Sequence, residues 1–449
     1  MGEAQISSVG ECDEAEYDAI VFGSGVSGLV SAAILLDQGA RKIAVVDEYA
    51  QLGGNHININ IDRFTFDVGS FIFQTDSDLL RYFPGLLPLY VPIRARTGRI
   101  NPRGIVTRYP FSFKDELLKA GPVEWGRIAL SLSFSRLFRR NIRNAQEYAE
   151  YWISRRLTKI TGLRYFMERF YGVAPEKINN QFAQARMRWI RDNASVRKNL
   201  SRLFRRPNRS APQPQQLVRP REGFHHLYSA AADQLVQQGV DFHLGAQLRS
   251  LKRRDGLFIL ETGASRLRAK RVLSTIPLNR MMKLCGLAPS ENIKTVTLLT
   301  LFYSFSGGRG FSQNILYNFS ATGAWKRLTM HSDFYGQSDE REFFSVETNA
   351  SHVNGSTEAA DRDFRQHVAA IGLFSGDLRL EGSHMLENAY PIYLQEASEA
   401  AAGSIAALKA FGVESFGRQG GFDYQPTAQV SIKAARAALT SVAVSSPGA

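Results

Sequence analysis

Three glycines near the N-terminus have the spacing of a phosphate-binding turn. Gly23, Gly25 and Gly28 follow a short apolar run and precede a helical pattern. The first glycine permits a tight turn, the second lets the backbone approach a pyrophosphate, and the third lets the helix pack closely on the strand. The amides of Val26 and Ser27, at the start of the helix, would face the anion. The segment therefore predicts dinucleotide binding.

An acidic residue follows at the distance that this kind of site requires. Asp47 ends a second apolar run, nineteen residues after Gly28. Its carboxylate is predicted to hold the ribose hydroxyls of the dinucleotide. The predicted cofactor-binding set also includes neighbouring residues and two later glycine turns: Glu48, Gly53, Gly54, Asn55, Gly69 and Ser70.

A second glycine-rich segment lies near the far end of the chain. Gly417, Arg418, Gly420 and Gly421 come shortly before a helical pattern over residues 427–442. Bare amides at a helix start again favour an anion. Two such elements at opposite ends of the chain indicate one elongated dinucleotide, FAD rather than NAD. Arg418 could then stabilise negative charge on the reduced flavin or on a substrate phosphate.

The elements that position these residues predict an α/β fold, a Rossmann-type FAD-binding domain with an inserted α+β substrate domain. At 449 residues the chain exceeds the size of one core, so two domains are expected. We predict a disordered tail over residues 1–16. The FAD-binding domain would be built from residues 17–95, 215–290 and 385–445, and the substrate domain from residues 96–214 and 291–384.

The composition indicates a folded protein with a basic surface. The net charge is +13 and the isoelectric point is about 9.7, which suggests an anionic substrate or an anionic surface as partner. Residues 136–143 mix arginine with Phe138 and Leu137, so a peripheral membrane contact is one alternative. No nucleic-acid motif accompanies the basic run over residues 186–209, and no nucleic-acid partner is expected.

Cysteine and histidine usage predicts neither a disulfide framework nor a metal site. Only Cys12 and Cys285 occur, and no cluster of histidines or carboxylates has ligand spacing. The N-terminus has no basic segment followed by an apolar one, so no secretory signal is expected. We expect a cytoplasmic protein, with the inner face of the membrane as its alternative location.

Taken together, these motifs resemble a known group of flavoproteins. The glycines of residues 23–28, Asp47 six residues before Gly53, and the run over residues 66–69 are similar to the N-terminus of flavin amine oxidases, protoporphyrinogen oxidases and UDP-galactopyranose mutases. The group usually has Glu where this chain has Asp47. The resemblance extends over nearly the whole chain and implies FAD as cofactor, with the chemistry supplied by the flavin.

The mutase resemblance also implies residues that contact the substrate. Positions that match Arg418 and Tyr424 contact flavin and the substrate diphosphate in mutases, and an arginine near Arg186 faces the substrate. We therefore predict Arg418, Arg186 and Tyr424 as the catalytic set, with Arg188 as an alternative to Arg186. The mutase pattern has histidines at the positions of Phe71 and Gln74.

Three functions remain open at this point. The leading hypothesis is FAD-dependent oxidation or desaturation of a small, lipid-like or phosphate-bearing molecule by hydride transfer to flavin. The alternative is a flavin-dependent nucleotide-sugar mutase. The third is a flavin-binding protein without turnover.

Overall fold

A computed structural model describes residues 14–69, 72–110, 121–138, 141–187, 214–425 and 427–443. The strands, numbered in chain order, are β1 (Glu14–Phe22), β2 (Ile43–Val46), β3 (Asn58–Ile61), β4 (Phe64–Asp67), β5 (Phe73–Gln74), β6 (Val91–Ile93), β7 (Thr97–Ile100), β8 (Val106–Arg108), β9 (Gln216–Val218), β10 (Val240–His243), β11 (Ser250–Arg254), β12 (Leu257–Glu261), β13 (Arg266–Ser274), β14 (Lys294–Arg309), β15 (Ile315–Asn318), β16 (Trp325–Met330), β17 (Glu342–Asn349), β18 (Phe374–Ile392) and β19 (Val413–Ser415).

The helices are numbered in the same way. They are α1 (Val26–Asp37), α2 (Leu79–Tyr82), α3 (Pro122–Phe138), α4 (Ala145–Ile153), α5 (Arg155–Thr161), α6 (Leu163–Tyr171), α7 (Asn180–Arg186), α8 (Phe224–Val236), α9 (Leu278–Leu284), α10 (Ser332–Tyr335), α11 (Thr357–Ala370), α12 (Ala397–Phe411), α13 (Gly417–Gly420) and α14 (Ala428–Ala443). Short 3₁₀ turns cover Pro84–Leu89, Pro175–Lys177 and Ala350–Val353.

The first sheet has the strand order β10-β2-β1-β13-β12-β11, and β19 pairs with the end of β13. Strands β10, β2, β1, β13 and β19 are parallel, whereas β12 and β11 extend the edge as antiparallel strands. Ile20, Val21 and Phe22 in β1 are fully buried, because helices cover both faces of such a sheet. Helix α1 connects β1 to β2 and packs against α14, which comes from the far end of the chain.

The second sheet is mixed and is built mainly from the middle of the chain. Its order is β18-β14-β17-β16-β15-β7-β8, and every pair except the parallel pair β15 and β7 is antiparallel. Helix α11 covers one face, where Phe364 packs on Tyr303 and Phe344. Helices α3 to α7 form a separate layer beside this sheet. The predicted α/β class, with a Rossmann-type domain and a second α+β part, is confirmed.

Two predicted boundaries differ from the structure. Residues 14–16, assigned to the tail, belong to β1, because the parallel pairing of β1 with β13 begins at residue 14, opposite Arg266. Residues 385–392, assigned to the FAD-binding domain, continue β18 in the second sheet, because its pairing with β14 extends to Ile392. Residues 1–13, with Cys12, lie outside the described residues.

Candidate functional site

The predicted glycine turn is tight, and glycine is required at two of its positions. Gly23 has φ +103°, a conformation that side-chain-bearing residues rarely adopt. A Cβ on Gly28 would lie 1.8 Å from the carbonyl oxygen of Gly23, so the helix packs against the turn without room for a side chain. No side chain caps the start of α1 at Gly25, and its first turn contains no acidic residue. The amides there are oriented toward an anion.

A second glycine turn closes over the first. Gly53 donates its backbone N–H to the Ser24 carbonyl at 3.1 Å. A Cβ on Gly54 would lie 3.2 Å from the Cα of Gly25, so the two backbones approach each other closely. This approach leaves exposed peptide groups, rather than side chains, around the start of α1.

The C-terminal glycine segment reaches the same place. A Cβ on Gly417, which has φ +91°, would lie 3.5 Å from Ser27 Oγ in the first turn of α1. The segment forms the short helix α13, which contacts α14. The two glycine-rich segments that the sequence singled out at opposite ends of the chain are therefore neighbours in space.

These turns border a cavity of about 470 Å³, here called the dinucleotide cavity. Ten of the predicted cofactor-binding residues line it: Gly23, Gly25, Val26, Ser27, Asp47, Glu48, Gly53, Gly54, Asn55 and Arg418. Gly28 lies behind it, where it serves helix packing. Gly69 lines the neighbouring cavity instead, and Ser70 lies outside the described residues.

The two acidic residues of the predicted set have partners within the chain. Asp47 Oδ2 accepts hydrogen bonds from the amide and the hydroxyl of Ser24, each at 2.7 Å, and Oδ1 accepts one from the Tyr49 amide at 3.0 Å. Asp47 thus fixes the glycine turn, and its contact with a ribose stays a prediction. Glu48 accepts two hydrogen bonds from Arg280 at 2.6 and 2.9 Å, and both residues stand at the rim of the dinucleotide cavity.

A second cavity of about 320 Å³, here called the inner cavity, adjoins the first. Asn55, His56, Arg418 and Ala428 line both. Most of its wall is apolar and comes from the helical layer and from β14 and β18. The apolar and aromatic lining consists of Val68, Ile72, Phe73, Phe170, Tyr171, Phe182, Tyr317, Leu298, Leu386, Ala389, Tyr390, Tyr393 and Tyr424.

A buried charged cluster interrupts this apolar wall. Lys326 Nζ lies 3.2 Å from Glu347 Oε2, and Arg327 donates to the other oxygen of the same carboxylate. Side chains on successive strand residues normally point to opposite faces. A register shift in the pairing of β16 with β17 lies between Trp325 and Arg327, so Lys326 occupies a bulge and both cations reach Glu347.

The electrostatics of the cluster keep its carboxylate ionised. Burial opposes the charge on Glu347, but Arg327 and Lys326 outweigh burial and lower the pKa of Glu347. Lys326 also donates to the Tyr390 hydroxyl at 2.7 Å and lies over the Phe170 ring. Sequence reasoning missed this cluster; its only local signal was a charged pair inside an apolar strand.

Arg418 brings a further positive charge to the junction of the two cavities. Its Nε and one terminal nitrogen donate to the Gln425 carbonyl at 3.1 and 2.7 Å. Burial lowers its pKa, and the neighbours that oppose this shift are Tyr393 and Tyr424 rather than a carboxylate. Among the described residues, the lining of the inner cavity therefore includes three cationic side chains and one carboxylate.

His56 is a second junction residue that the sequence showed only as part of a turn. It is enclosed by the rings of Phe73, Phe224 and Tyr228, and its Nδ1 hydrogen-bonds the Tyr228 hydroxyl. Burial, followed by the charge of Arg418, lowers the pKa of His56 to about 3. The imidazole is therefore neutral at physiological pH.

The remaining predicted site residues are distributed as follows. Tyr424 lines the inner cavity and packs edge-on against Phe182. Arg186 is the last residue of α7, but its side chain lies outside the described part of the chain, as do Arg188 and Phe71. Gln74 is exposed on β5. Within the described residues, no three His, Cys, Asp or Glu side chains gather as a metal site would require.

The site fits FAD. The uncapped helix start, the glycine approaches at residues 25 and 54, and two adjoining cavities provide a cradle for a pyrophosphate and an enclosed space beyond it. Gly23, Gly25 and Ser27 would hold the phosphates. His56 and Arg418 would stand where the dinucleotide enters the inner cavity.

Three solved structures superpose on this chain over most of its length. A reduced UDP-galactopyranose mutase superposes with a TM-score of 0.76 at 14% identity, over 96% of both chains. A putative protoporphyrinogen oxidase from Exiguobacterium superposes with a TM-score of 0.70 at 15% identity, over 96% of this chain and 99% of the other. Putrescine oxidase gives a TM-score of 0.63 at 13% identity, over 96% and 100%.

Curated relatives match over a short segment. The chloroplast protein prolycopene isomerase 2 from an Oncidium hybrid cultivar is 48% identical over 73 residues, which are 16% of this chain and 12% of the relative. The corresponding carrot (Daucus carota) protein is 49% identical over 63 residues, 14% of this chain and 10% of the relative. The match thus spans about a tenth of these relatives' length.

The family model of the flavin-containing amine oxidoreductases matches residues 26–308, more than half of the chain. This match confirms the resemblance predicted from the glycine motifs and the prediction of FAD as cofactor. The chain belongs to the flavin-containing amine oxidoreductase family and is an FAD-dependent enzyme.

Proposed function

We propose that this enzyme oxidises or desaturates a small molecule that has an apolar body and a carboxylate or phosphate group. The observation that carries the proposal is the inner cavity, which combines aromatic walls with Lys326, Arg327 and Arg418 against one carboxylate, Glu347. Because the described lining has an excess of positive charge, and because the Lys326 and Arg327 side chains are only 2% and 18% exposed, an anionic group would be attracted there more strongly than at an exposed site.

The apolar walls suit the remainder of such a substrate. Phe170, Phe182 and Tyr393 provide aromatic surface, and Phe182 stacks on Tyr393 with ring centroids 4.2 Å apart. Contact with these rings would orient an apolar body and exclude water from it. The anion would fix one end of the molecule, so that a single C–H bond faces the junction with the dinucleotide cavity.

A substrate C–H bond breaks and its hydride leaves with two electrons, while a proton passes from the adjacent carbon or heteroatom to water as the double bond forms. FAD, when bound, accepts the hydride. The chain's own residues hold the anion, exclude water and present the C–H bond. Neutral His56 and cationic Arg418, at the junction, would polarise the region where negative charge develops.

A nucleotide-sugar mutase activity is the second candidate. The superposition with UDP-galactopyranose mutase favours this activity. The cationic inner cavity favours it as well, since a diphosphate could also bind Arg418. Such a reaction would require reduced flavin and would cause no net change in oxidation state.

The test is anaerobic mixing of the FAD-loaded enzyme with four compounds that the similar proteins' names supply: protoporphyrinogen, prolycopene, putrescine and UDP-galactopyranose. Bleaching of the flavin absorbance by an anionic compound supports oxidation. Conversion of the sugar nucleotide only after dithionite reduction supports the mutase. Bleaching by the cationic putrescine alone would contradict the proposed role of the cationic cluster.

A matched pair of variants tests the cluster itself. Lys326→Met removes one cation from the inner cavity, whereas Lys252→Met removes an exposed lysine of β11 whose side chain is 51% exposed. We expect only Lys326→Met to raise the dissociation constant of an anionic substrate, by about tenfold or more. Equal behaviour of the two variants would refute the assignment.

A further inference from the structure

A small apolar void, here called the apolar annex, lies inside the helical layer. Its volume is about 20 Å³, and protein interiors contain few voids large enough for a water molecule. The described lining contains no charged side chain, and its hydroxyl groups come from Tyr109 and Tyr171 alone. Since a water molecule needs several polar partners, this space suits a hydrocarbon group better than water.

Two aromatic rings form the wall between the annex and the inner cavity. Tyr171 and Phe182 line both spaces. Their ring centroids are 5.0 Å apart, and the ring planes meet at 86°. The ring of Phe182 is held by packing, because it stacks on Tyr393. A rotation of this ring would break no hydrogen bond and would open a passage between the two spaces.

The surroundings of the annex can adapt to an occupant. Met167 and Met187 are buried in its lining, and the unbranched methionine side chain changes shape readily to fill irregular space. Helices α4, α6 and α7, which supply much of the lining, have nine, nine and seven residues. No helix in the described part of the chain is both long and apolar enough to cross a bilayer.

The annex and the cationic cluster belong to different elements around the inner cavity. Lys326 and Glu347 come from β16 and β17 of the second sheet, and Arg418 comes from α13. The two rings at the entrance of the annex come from α6 and α7. An anionic group held by the cluster therefore leaves these rings as a contact surface for the apolar remainder of the same molecule.

We propose that the substrate is an amphipathic anion with a linear hydrocarbon chain, whose anionic group binds beside Lys326 and Arg418 and whose chain end passes Phe182 into the annex. This inference rests on the proposed function and adds the shape of the apolar body. A rigid ring system could contact the aromatic walls, but only a narrow chain could pass between two rings. Each methylene group that leaves water should raise affinity about fourfold, which corresponds to about 0.8 kcal/mol.

The experiment measures dissociation constants by spectral titration of the flavin in the FAD-loaded enzyme. The probes are straight-chain alkanoates from octanoate to hexadecanoate, below their micelle concentrations, and naphthoate as a rigid anion. Met167→Ala enlarges the annex, and Ala145→Leu fills it. The matched control is Met282→Ala, which changes another buried methionine, 4% exposed against 3% for Met167, outside the annex and both larger cavities. Flavin content is recorded for each protein.

For the wild type we expect affinity to rise with each added methylene group and to level off once the annex is full. Met167→Ala should move this levelling to a longer chain and Ala145→Leu to a shorter one, whereas Met282→Ala should leave it unchanged. General destabilisation cannot cause shifts in opposite directions. Affinity for naphthoate should be the same in all four proteins.

Two outcomes would overturn the proposal in different ways. If naphthoate and octanoate bind but affinity does not depend on chain length, or levels off at the same length in every variant, the annex has no role and the proposed function stands. If none of these anions binds, both the annex and the proposed function are overturned.

Discussion

Gly25→Ala should separate cofactor binding from folding in this enzyme. Gly25 has φ −74° and ψ −179°, a conformation that alanine adopts readily. An added Cβ would lie 3.6 Å from the Cα of Gly54, which is an ordinary contact. We therefore expect the free energy of unfolding of the apoprotein to change by less than about 0.5 kcal/mol.

The same methyl group would occupy space needed by the cofactor. It would project between Gly25 and Gly54, where both backbones line the dinucleotide cavity. A pyrophosphate could then no longer approach the amides at the start of α1. We expect FAD affinity to fall by at least about tenfold, which corresponds to about 1.4 kcal/mol.

Gly28→Ala is the comparison, because its effect should be on packing. The added Cβ would lie 1.8 Å from the Gly23 carbonyl oxygen, so the turn and α1 would have to move apart by more than about 1 Å. We expect a loss of about 1–3 kcal/mol or more in the stability of the apoprotein. Urea unfolding of each apoprotein and fluorescence titration with FAD measure both quantities. Equal destabilisation of the two apoproteins, or wild-type FAD affinity in Gly25→Ala, would refute the reasoning.

Three further predictions concern charged side chains. Asp67→Asn should lower the free energy of unfolding, measured in urea, by about 3–5 kcal/mol, because it leaves the fully buried Arg219 without its carboxylate partner. Asp339→Asn, which removes one partner of an exposed ion pair, should lower it by less than about 1 kcal/mol. Arg418→Met should weaken the binding of anionic substrates about tenfold or more, as measured by spectral titration of the bound flavin. Arg418→Lys should restore only part of the lost affinity, since a lysine cannot bind an anion through two parallel hydrogen bonds. The pKa of Glu347 is lowered in the folded protein, so the stability that its charge contributes is present above pH 4.5 and is lost as the pH falls through the lowered pKa. Acid should therefore destabilise the wild type more than Glu347→Gln in urea unfolding. Parallel pH profiles of stability for the two proteins would contradict this.

The parts of the fold that the sequence predicted are those encoded locally. The β1–α1–β2 unit follows from one apolar run, one glycine turn and one helical segment, and the structure has them in the predicted order, with β2 ending at Val46 just before Asp47. The course of residues 385–392 could not be predicted in the same way. Their place in β18 depends on pairing with β14, about ninety residues earlier in the chain, and pairing over such a distance leaves no local pattern.

In the candidate site, too, the residues with a local sequence signal were predicted and the others were not. The glycines at residues 23–28 and at residue 417 were predicted because glycine itself is the signal. The cluster of Lys326, Arg327 and Glu347 was missed, since Arg327 meets Glu347 only through cross-strand pairing and Lys326 reaches it only through a bulge. His56 was not among the predicted site residues, because its aromatic enclosure comes from side chains of β5 and α8 that no local pattern links to it.

The predicted cofactor-binding residues and the residues that would select a substrate come from different parts of the fold. The residues predicted to hold FAD come from the first sheet and its turns, and the fold that carries them also occurs in a UDP-galactopyranose mutase and in putrescine oxidase. The residues that would select a substrate come largely from the second sheet and the helical layer. A strand of such a sheet needs only one apolar face in order to pack. A charge at Lys326 is not required by that pattern and is costly unless it is paired, as it is here with Glu347. Since the fold does not require this buried charge at a strand bulge beside the dinucleotide cavity, its presence there supports the proposal that it binds an anionic substrate.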